Sequence, residues 1–311
     1  EEAIKVAKKI GYPVLVRPSY VIGGRAMQVV YSESELRGYV KEAASLSTEH
    51  PILIDEYIEG KEVEVDAISD REDILIPGIM EHVERTGVHS GDSICVYPPQ
   101  NLSQNIIKII TQYTKKIAKA LQVIGLMNIQ FVVKDEKVYV IEVNPRASRT
   151  VPILSKATKI PMVNVAVKVI LGERLKELGF GVGLYKNNNL VAVKAPVFSF
   201  QKLNNVDVAL TPEMKSTGEV LGVDSSYEKA LIKAFKGAGY TFPDGGNVFV
   251  SLNEKDKKEA FEILETLKGL GFELAGSEGT ARYFSEKGLK IKVLSLNKFD
   301  EIYNAMKNKT I

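Results

Sequence analysis

Hydrophobic positions recur with two periods along the chain, and the way those periods alternate divides it. Up to about residue 239, short apolar or alternating runs outnumber helical stripes. Tyr12–Arg17, Ala26–Tyr31, Pro51–Ile58, Glu62–Ser69, Ile74–Val83, Met127–Val133, Lys137–Val143 and Leu190–Phe198 read as strands. Helical spacing marks Glu1–Ile10 (Ile4, Ala7, Ile10), a helix from Ser32 to about Leu46, Met162–Leu171 and Ser226–Phe235. Ser32 and Glu35 have capping-box spacing. Ser103 caps a longer helix carrying Ile106, Ile109, Ile110, Tyr113, Ile117 and Leu121. Gly87–Pro99 has no period and reads as a loop, and Asp135–Glu136 turns a hairpin. Hairpin-linked strands with a minority of helices imply an α+β fold with a mainly antiparallel sheet. In Glu62–Ser69 acidic and apolar residues alternate, which predicts one buried and one carboxylate-lined face.

After the Gly-rich stretch Gly237–Gly246 the order becomes strictly strand–helix. Strand Asn247–Leu252, helix Glu254–Leu270, strand Phe272–Ala275, a short helix after Gly279, strand Leu289–Leu296 and helix Phe299–Lys307 predict a small α/β doubly wound unit. The boundary falls near residue 239, giving domains 1–239 and 240–311.

Composition narrows the class little. The 311 residues are 45% hydrophobic and 26% charged, with a net charge of +2. These values are ordinary for a globular protein, and no global field points to nucleic acid or an anionic membrane. Cys95 is the sole cysteine, so no internal disulfide forms and a reducing, cytoplasmic setting is expected. His50, His82 and His89 show no metal-ligand spacing. No apolar run is long enough to span a membrane. The chain opens inside one helical pattern and stops just after another, so it reads as an excerpt of a longer polypeptide.

Polar chemistry concentrates at Val138–Thr150, VYVIEVNPRASRT. Apolar Val138, Val140, Ile141 and Val143 give way to Glu142, Asn144, Arg146 and Arg149, with Pro145 closing the strand. The stretch reads equally as a metal-and-phosphate end or as an Asn-Pro turn with solvated charges. If the hairpin turns near residue 136, Gln130 falls opposite Glu142, at about 4.5–5.5 Å between Cβ atoms. Asn144 shares the face of Glu142. Three converging oxygen donors suit Mg²⁺, and a solvent-facing polar stripe accounts for them as well. Between two strands, Gly23-Gly24 can bring backbone N–H groups close to phosphate oxygens, with Arg17 as a bidentate donor; a plain turn is the alternative. Residues 55–58 offer a strand edge to an adenine, and Glu62 a carboxylate to a ribose; a solvated turn is the default there.

The order of these features resembles an ATP-grasp fold. VRPSYVIGGRAM, IMEHVERTGVHSGDS, GLMNIQF, IEVNPRASRTVPILSKAT and PEMKSTGEVLGVD resemble, more closely, the second ATP-grasp half of the carbamoyl-phosphate synthase large subunit. The tail resembles that family's methylglyoxal-synthase-like allosteric domain. The resemblance implies an enzyme, a ligase that phosphorylates carbamate with ATP to give carbamoyl phosphate and ADP for pyrimidine or arginine synthesis. Arg17, Gly23 and Gly24 would cover the nucleotide phosphates, and Glu56 and Ile58 would meet adenine through their backbones. Glu62 would take the ribose, and Gly87, Val88, His89 and Ser90 would line the site. Gln130, Glu142 and Asn144 would hold two Mg²⁺ or Mn²⁺ ions, with Glu142 bridging and K⁺ as a further candidate ion. Arg146 and Arg149 would grip carbamate and its phosphorylated product.

Lys257, Ser277 and Thr280 would bind a nucleotide monophosphate effector, UMP or IMP. Implied partners are the N-terminal half of the large subunit and a glutaminase small subunit. Where some members bind ornithine through residues matching His82, Glu84 and Asp92, this chain has Ala195 in place of the remaining acid. The tail stops before the strand and loop that complete the family's effector pocket, and a lysine expected near Leu296 is absent, although Lys298 is close. A small lobe that precedes the glycine loop in the family, with a further nucleotide-binding arginine, lies outside the sequence. The excerpt alone is therefore expected to turn over little. Two alternatives stand beside this reading, another ATP-grasp ligase and a non-catalytic nucleotide-binding or regulatory module.

Overall fold

The computed structural model describes residues 2–19, 23–46, 52–186, 189–200, 207–294, 303, 304 and 306–308. It divides into two units, Glu1–Tyr240 and Thr241–Ile311. The first unit opens with a small layer. Strands β1 (Val14–Pro18), β2 (Gln28–Val30) and β3 (Ile52–Glu56) form an antiparallel sheet in the order β2-β1-β3, packed with helices α1 (Glu2–Ile10) and α2 (Glu33–Leu46). Ile4, Ala7, Val14, Val16, Val30, Leu36 and Tyr39 fill its core. Glu35 donates its backbone N–H to the Ser32 hydroxyl at 3.3 Å, so the expected cap forms.

The main layer is an eight-stranded sheet. Its strands are β4 (Lys61–Asp70), β5 (Ile74–Arg85), β6 (Cys95–Tyr97), β7 (Ile124–Lys134), β8 (Lys137–Asn144), β9 (Gly183–Leu184), β10 (Val191–Phe198) and β11 (Ser216–Asp224). The order is β11-β10-β6-β5-β4-β7-β8, antiparallel throughout, with β9 paired in parallel beside β5. Helix α3 (Gln104–Ala120) covers one face through Ile106 and Ile110, against Val63, Val65, Ile129 and Phe131. At one end of the other face, α4 (Val151–Thr158) and α5 (Met162–Ile170) pack on Ile68, Leu75, Met80 and Tyr97. Helix α6 (Tyr227–Gly237) closes the β10–β11 end with Ala230 and Ala234.

Several expectations shift. The expected loop Gly87–Pro99 contains β6, a three-residue strand too short to show a period. On α3 the buried stripe is Ile106, Ile110, Thr114 and Ala118, while Tyr113 and Leu121 are exposed. Thr114 hides its hydroxyl by donating to the Ile110 carbonyl at 2.8 Å, which lets a polar residue occupy the stripe. The sequence pattern marks neither helix α4 nor strand β11. The apolar β8 residues Val140 and Ile141 are exposed, because β8 is an edge strand bulged against β7 there.

In the second unit, β12 (Gly246–Val250), β13 (Phe272–Gly276) and β14 (Lys292–Val293) form a parallel sheet in that order. Helices α7 (Lys257–Gly269) and α8 (Glu278–Glu286) connect them, around a core of Val250, Leu264, Leu274, Ala281 and Phe284. A 3-10 turn over Glu254–Asp256 replaces the start of the expected helix, and α8 begins at Glu278 rather than after Gly279. Leu296, Lys298 and most of the last expected helix lie outside the described residues.

Candidate functional site

Strand register, not sequence proximity, assembles the polar groups. Glu64 of β4 stands opposite Gln130 of β7, and Gln130 stands opposite Glu142 of β8. The next row is Asp66, Asn128 and Asn144. On the other side of β4, His82 of β5 pairs with Cys95 of β6, which pairs with Lys194 of β10. Opposed residues of an antiparallel pair share a face, so two transverse polar rows run across β4, β7 and β8. Here the acidic face of β4 is fully covered: Glu62, Glu64 and Asp66 are buried along with the apolar face.

The predicted oxygen trio comes together. Asn144 donates its amide to Glu142 Oε1 at 2.8 Å, and Gln130 donates its amide to the Ser90 hydroxyl at 3.1 Å. Both amide nitrogens are thereby used, which turns the amide oxygens and Glu142 Oε2 into acceptors for a cation. The donor set is all oxygen, as a hard divalent ion requires.

The Gly87–Ser90 segment is built into the same surface. Gly87 donates its N–H to Glu62 Oε1 at 3.2 Å, and His89 donates its N–H to the Thr211 carbonyl at 2.9 Å. Burial lowers the His89 pKa below the ordinary value. Val88 lies between these two anchors. The Ser90 carbonyl accepts from the fully buried Lys194 ammonium at 2.8 Å.

The glycine loop is held from the opposite side. Gly23 and Gly24 have φ of +65° and +68°, the left-handed region that favours glycine. The Gly23 carbonyl accepts from the Met214 N–H at 3.0 Å, and the Ala26 N–H reaches Glu213 Oε2 at 3.4 Å. Residues 211–216 continue to Asp92, whose two oxygens accept from the N–H groups of Lys215 (2.7 Å) and Ser216 (2.8 Å). Arg149 joins this strap by donating to the Ser216 hydroxyl at 2.8 Å and facing Glu219 at 3.5 Å. Burial raises the Glu219 pKa despite that arginine. Arg146 is exposed and donates to the Ala147 carbonyl at 3.0 Å. Arg17 pairs with Asp55 at 2.7 Å, and Glu56 and Ile58 lie at and just beyond the end of β3.

Beneath the arginine segment lies a group that sequence reasoning missed. Asp66 accepts from the Ser148 hydroxyl at 2.7 Å, from the Thr150 hydroxyl and from the Asn128 amide at 3.2 Å. It thereby ties β4 to the turn carrying Arg149. Burial, reinforced by the Glu64 charge, raises its pKa to about 7. Alternation along β4 was the available signal, but it could not separate a structural acid from a ligand.

In the second unit, the three predicted effector residues are buried and adjacent. Ser277 donates to the Thr280 hydroxyl at 3.0 Å and accepts from Ser251 at 3.2 Å. Thr280 also accepts the Leu252 N–H at 3.1 Å. The Lys257 ammonium bonds Glu254 and the Gly279 carbonyl, the latter at 3.1 Å.

An antiparallel α+β sheet with this strand order, a glycine-loop hairpin layer and a polar transverse row is an ATP-grasp fold. Biotin carboxylase from Campylobacter jejuni shares it, with a TM-score of 0.53 at 23% identity over 63% of this chain and 44% of that one. So does N5-carboxyaminoimidazole ribonucleotide synthetase from Thermus thermophilus, with a TM-score of 0.54 at 16% identity over 75% and 62%. Residues 1–178 match the family Carbamoyl-phosphate synthase L chain, ATP binding domain, and the chain belongs to it. It is 59% identical, over 295 residues, to the carbamoyl phosphate synthase large chain of Clostridium acetobutylicum. That alignment covers 94% of this chain and 28% of the relative, so the chain spans less than a third of that protein's length.

Proposed function

We propose that the first unit is the ATP-dependent site of a carbamoyl-phosphate synthase large chain that phosphorylates carbamate, releasing ADP and carbamoyl phosphate. The observation that carries this reading is the Gln130–Glu142–Asn144 trio at a strand end that runs directly into Arg146 and Arg149. The oxygens of Gln130, Glu142 and Asn144 would hold magnesium, with manganese as a substitute, and the ion would supply charge neutralisation at the phosphoryl group. ATP lies between the glycine loop and the Gly87–Ser90 segment, with adenine against the backbone of Glu56 and Ile58, and ribose at Glu62. Arg17, Gly23 and Gly24 cover its phosphates. Arg149 is preorganised by Ser216 and Glu219, so it meets carbamate in a fixed orientation, and exposed Arg146 completes the grip. Phosphoryl transfer of this kind rests on positioning and charge and needs no protein nucleophile. Potassium is a further candidate ion.

The second unit, on this reading, is the methylglyoxal-synthase-like regulatory domain. The β13–α8 junction offers Ser277, Thr280 and helix N–H groups to the phosphate of UMP or IMP, and Lys257 supplies charge by exchanging Glu254 for it. The enzyme works in the cytoplasm with its N-terminal half and a glutaminase subunit, supplying pyrimidine or arginine synthesis. Ala195, buried where an acid would hold an ammonium group, argues against ornithine as an effector.

The test is ATP formation from ADP and carbamoyl phosphate by the full-length large chain, compared with Glu142→Gln. The expected result is activity in the parent and a loss of roughly a hundredfold or more in the variant, the scale of removing one preorganised electrostatic contact. An inactive parent defeats the function, and an unchanged variant defeats the metal role.

A further inference from the structure

The three predicted oxygen donors leave aside a second cluster on the same face. A nitrogen of His82, the Cys95 sulfur and a carboxylate oxygen of Glu64 lie within 4.8 Å of one another, and all three residues are buried. Neither His82 ring nitrogen makes a hydrogen bond among the described residues, although the residue is only 2% exposed. The nearest oxygens, Glu62 Oε2 at 3.5 Å and Glu64 Oε2 at 3.6 Å, are beyond good hydrogen-bond distance. A buried imidazole that makes no hydrogen bond and has only two distant carboxylates as ion-pair partners is poorly satisfied, and a ligand on the ring would satisfy it.

The neighbours are arranged as a metal's surroundings would be. Glu64 Oε1 accepts the Asn128 amide at 2.7 Å, which fixes the carboxylate and leaves Oε2 turned to His82. Glu62 Oε2 faces the other ring nitrogen and is itself steadied by the Gly87 N–H. A carboxylate behind a ligating histidine sets its tautomer and orientation. Cys95 is paired in register with His82, and its sulfur makes one long contact to the Ser93 carbonyl at 3.7 Å. One sulfur, one nitrogen and one oxygen suit zinc or cobalt, and suit magnesium or potassium poorly.

We propose that Glu64, His82 and Cys95 form a buried site for a thiophilic divalent cation, zinc, with Glu62 orienting the imidazole. The site joins β4, β5 and β6, and through the register Glu64–Gln130–Glu142 it borders the oxygen-donor trio. On binding, the thiol releases its proton to solvent, an imidazolium releases the one on its metal-facing nitrogen, and the cation takes the thiolate, the neutral ring with its other N–H kept toward Glu62, and the carboxylate. A proton held on His82 between the two carboxylates is the competing arrangement.

The experiment uses the full-length large chain, stripped with a chelator and titrated with Co²⁺ alone. The expected result is one equivalent giving a sulfur-to-cobalt charge-transfer band in the near ultraviolet, displaced by Zn²⁺, with a raised unfolding midpoint. Cys95→Ser should abolish the band while Glu142→Gln retains it. That contrast separates this site from the magnesium site, so the carbamate reading can fail without it. Absence of the band from the unsubstituted protein overturns the proposal, whether or not the serine variant folds. A band that survives in a folded Cys95→Ser protein overturns it equally.

Discussion

Replacing Gly24 by alanine tests whether the glycine loop rests on the strap. A Cβ built there lies 2.0 Å from the Pro212 carbonyl oxygen, 2.8 Å from its carbon and 3.3 Å from Glu213 Cα. All three are backbone atoms, so no side chain can rotate away and residues 212–214 must move as a piece. An alanine at φ +68° also carries about 1–2 kcal/mol of left-handed strain. Moving the strap loses the 3.0 Å bond from Met214 N–H to the Gly23 carbonyl, roughly 0.5–1.5 kcal/mol. Together these disfavour the loop resting on the strap by about 1.5–3.5 kcal/mol, or roughly 10–300-fold in that equilibrium. Amide exchange at Met214 should accelerate by that factor. The urea midpoint of the main sheet should stay, because its core lies elsewhere. Nucleotide affinity should fall in step with exchange. An unchanged Met214 exchange rate in a folded Gly24→Ala protein would refute the coupling.

Two further outcomes follow from the buried charges. Asp66 titrates at about 7 when folded against 3.8 ordinarily, so the native state binds the extra proton between those values. Its stabilising contribution is complete below about pH 4 and is lost as pH rises towards 7. Asp66→Asn, which mimics the protonated acid, should therefore gain stability relative to the parent between about pH 5 and 8, read as urea midpoints. An unchanged difference across that range would remove Asp66 as the source. Lys194→Met leaves the Ser90 carbonyl without its 2.8 Å donor and should cost about 1–3 kcal/mol. The loss should be larger at about pH 8 than at about pH 5, because burial raises the pKa values of nearby Glu84 and Glu219, and that ammonium favours their charged forms. Equal losses at both pH values would argue that Lys194 acts through packing alone.

What the sequence disclosed followed the strength of each local signal. The Asp135–Glu136 turn was enough to locate the hairpin, but the register it starts would set Gln130 opposite Ile141; a bulge on β8, which no local signal announced, brings Glu142 there instead. The β–α alternation after residue 246 likewise announced a parallel sheet. Strand β6 left no trace because three residues cannot display a period, and β11 because Ser216–Asp224 is rich in glycine and polar residues. Histidine spacing was uninformative for a related reason. His82 meets Cys95 across a strand pair, and Glu64 approaches from β4, an arrangement that register creates and linear spacing does not encode. Residues 211–216 showed no chemistry in sequence, since most of the strap's bonds use backbone N–H and carbonyl groups that nearly every residue carries, with Glu213 and Ser216 adding one side-chain contact each to the glycine loop and Arg149.

The transverse rows of the main sheet place its chemistry under the control of the opposite face. On β7, Gln130 and Asn128 alternate with Met127, Ile129 and Phe131, all three fully buried. A slip of one residue would drive the two amides into the apolar layer and set those three side chains among the buried polar row, so burial on the far side acts as an indexing pin. The alignment tolerance of the oxygen trio is thus set by how tightly Phe131 and Ile129 fit beneath α3, on the face turned away from the trio. A cavity cut there would be felt as slackness between Gln130 and Glu142, a loss of aim in residues that the substitution never touches.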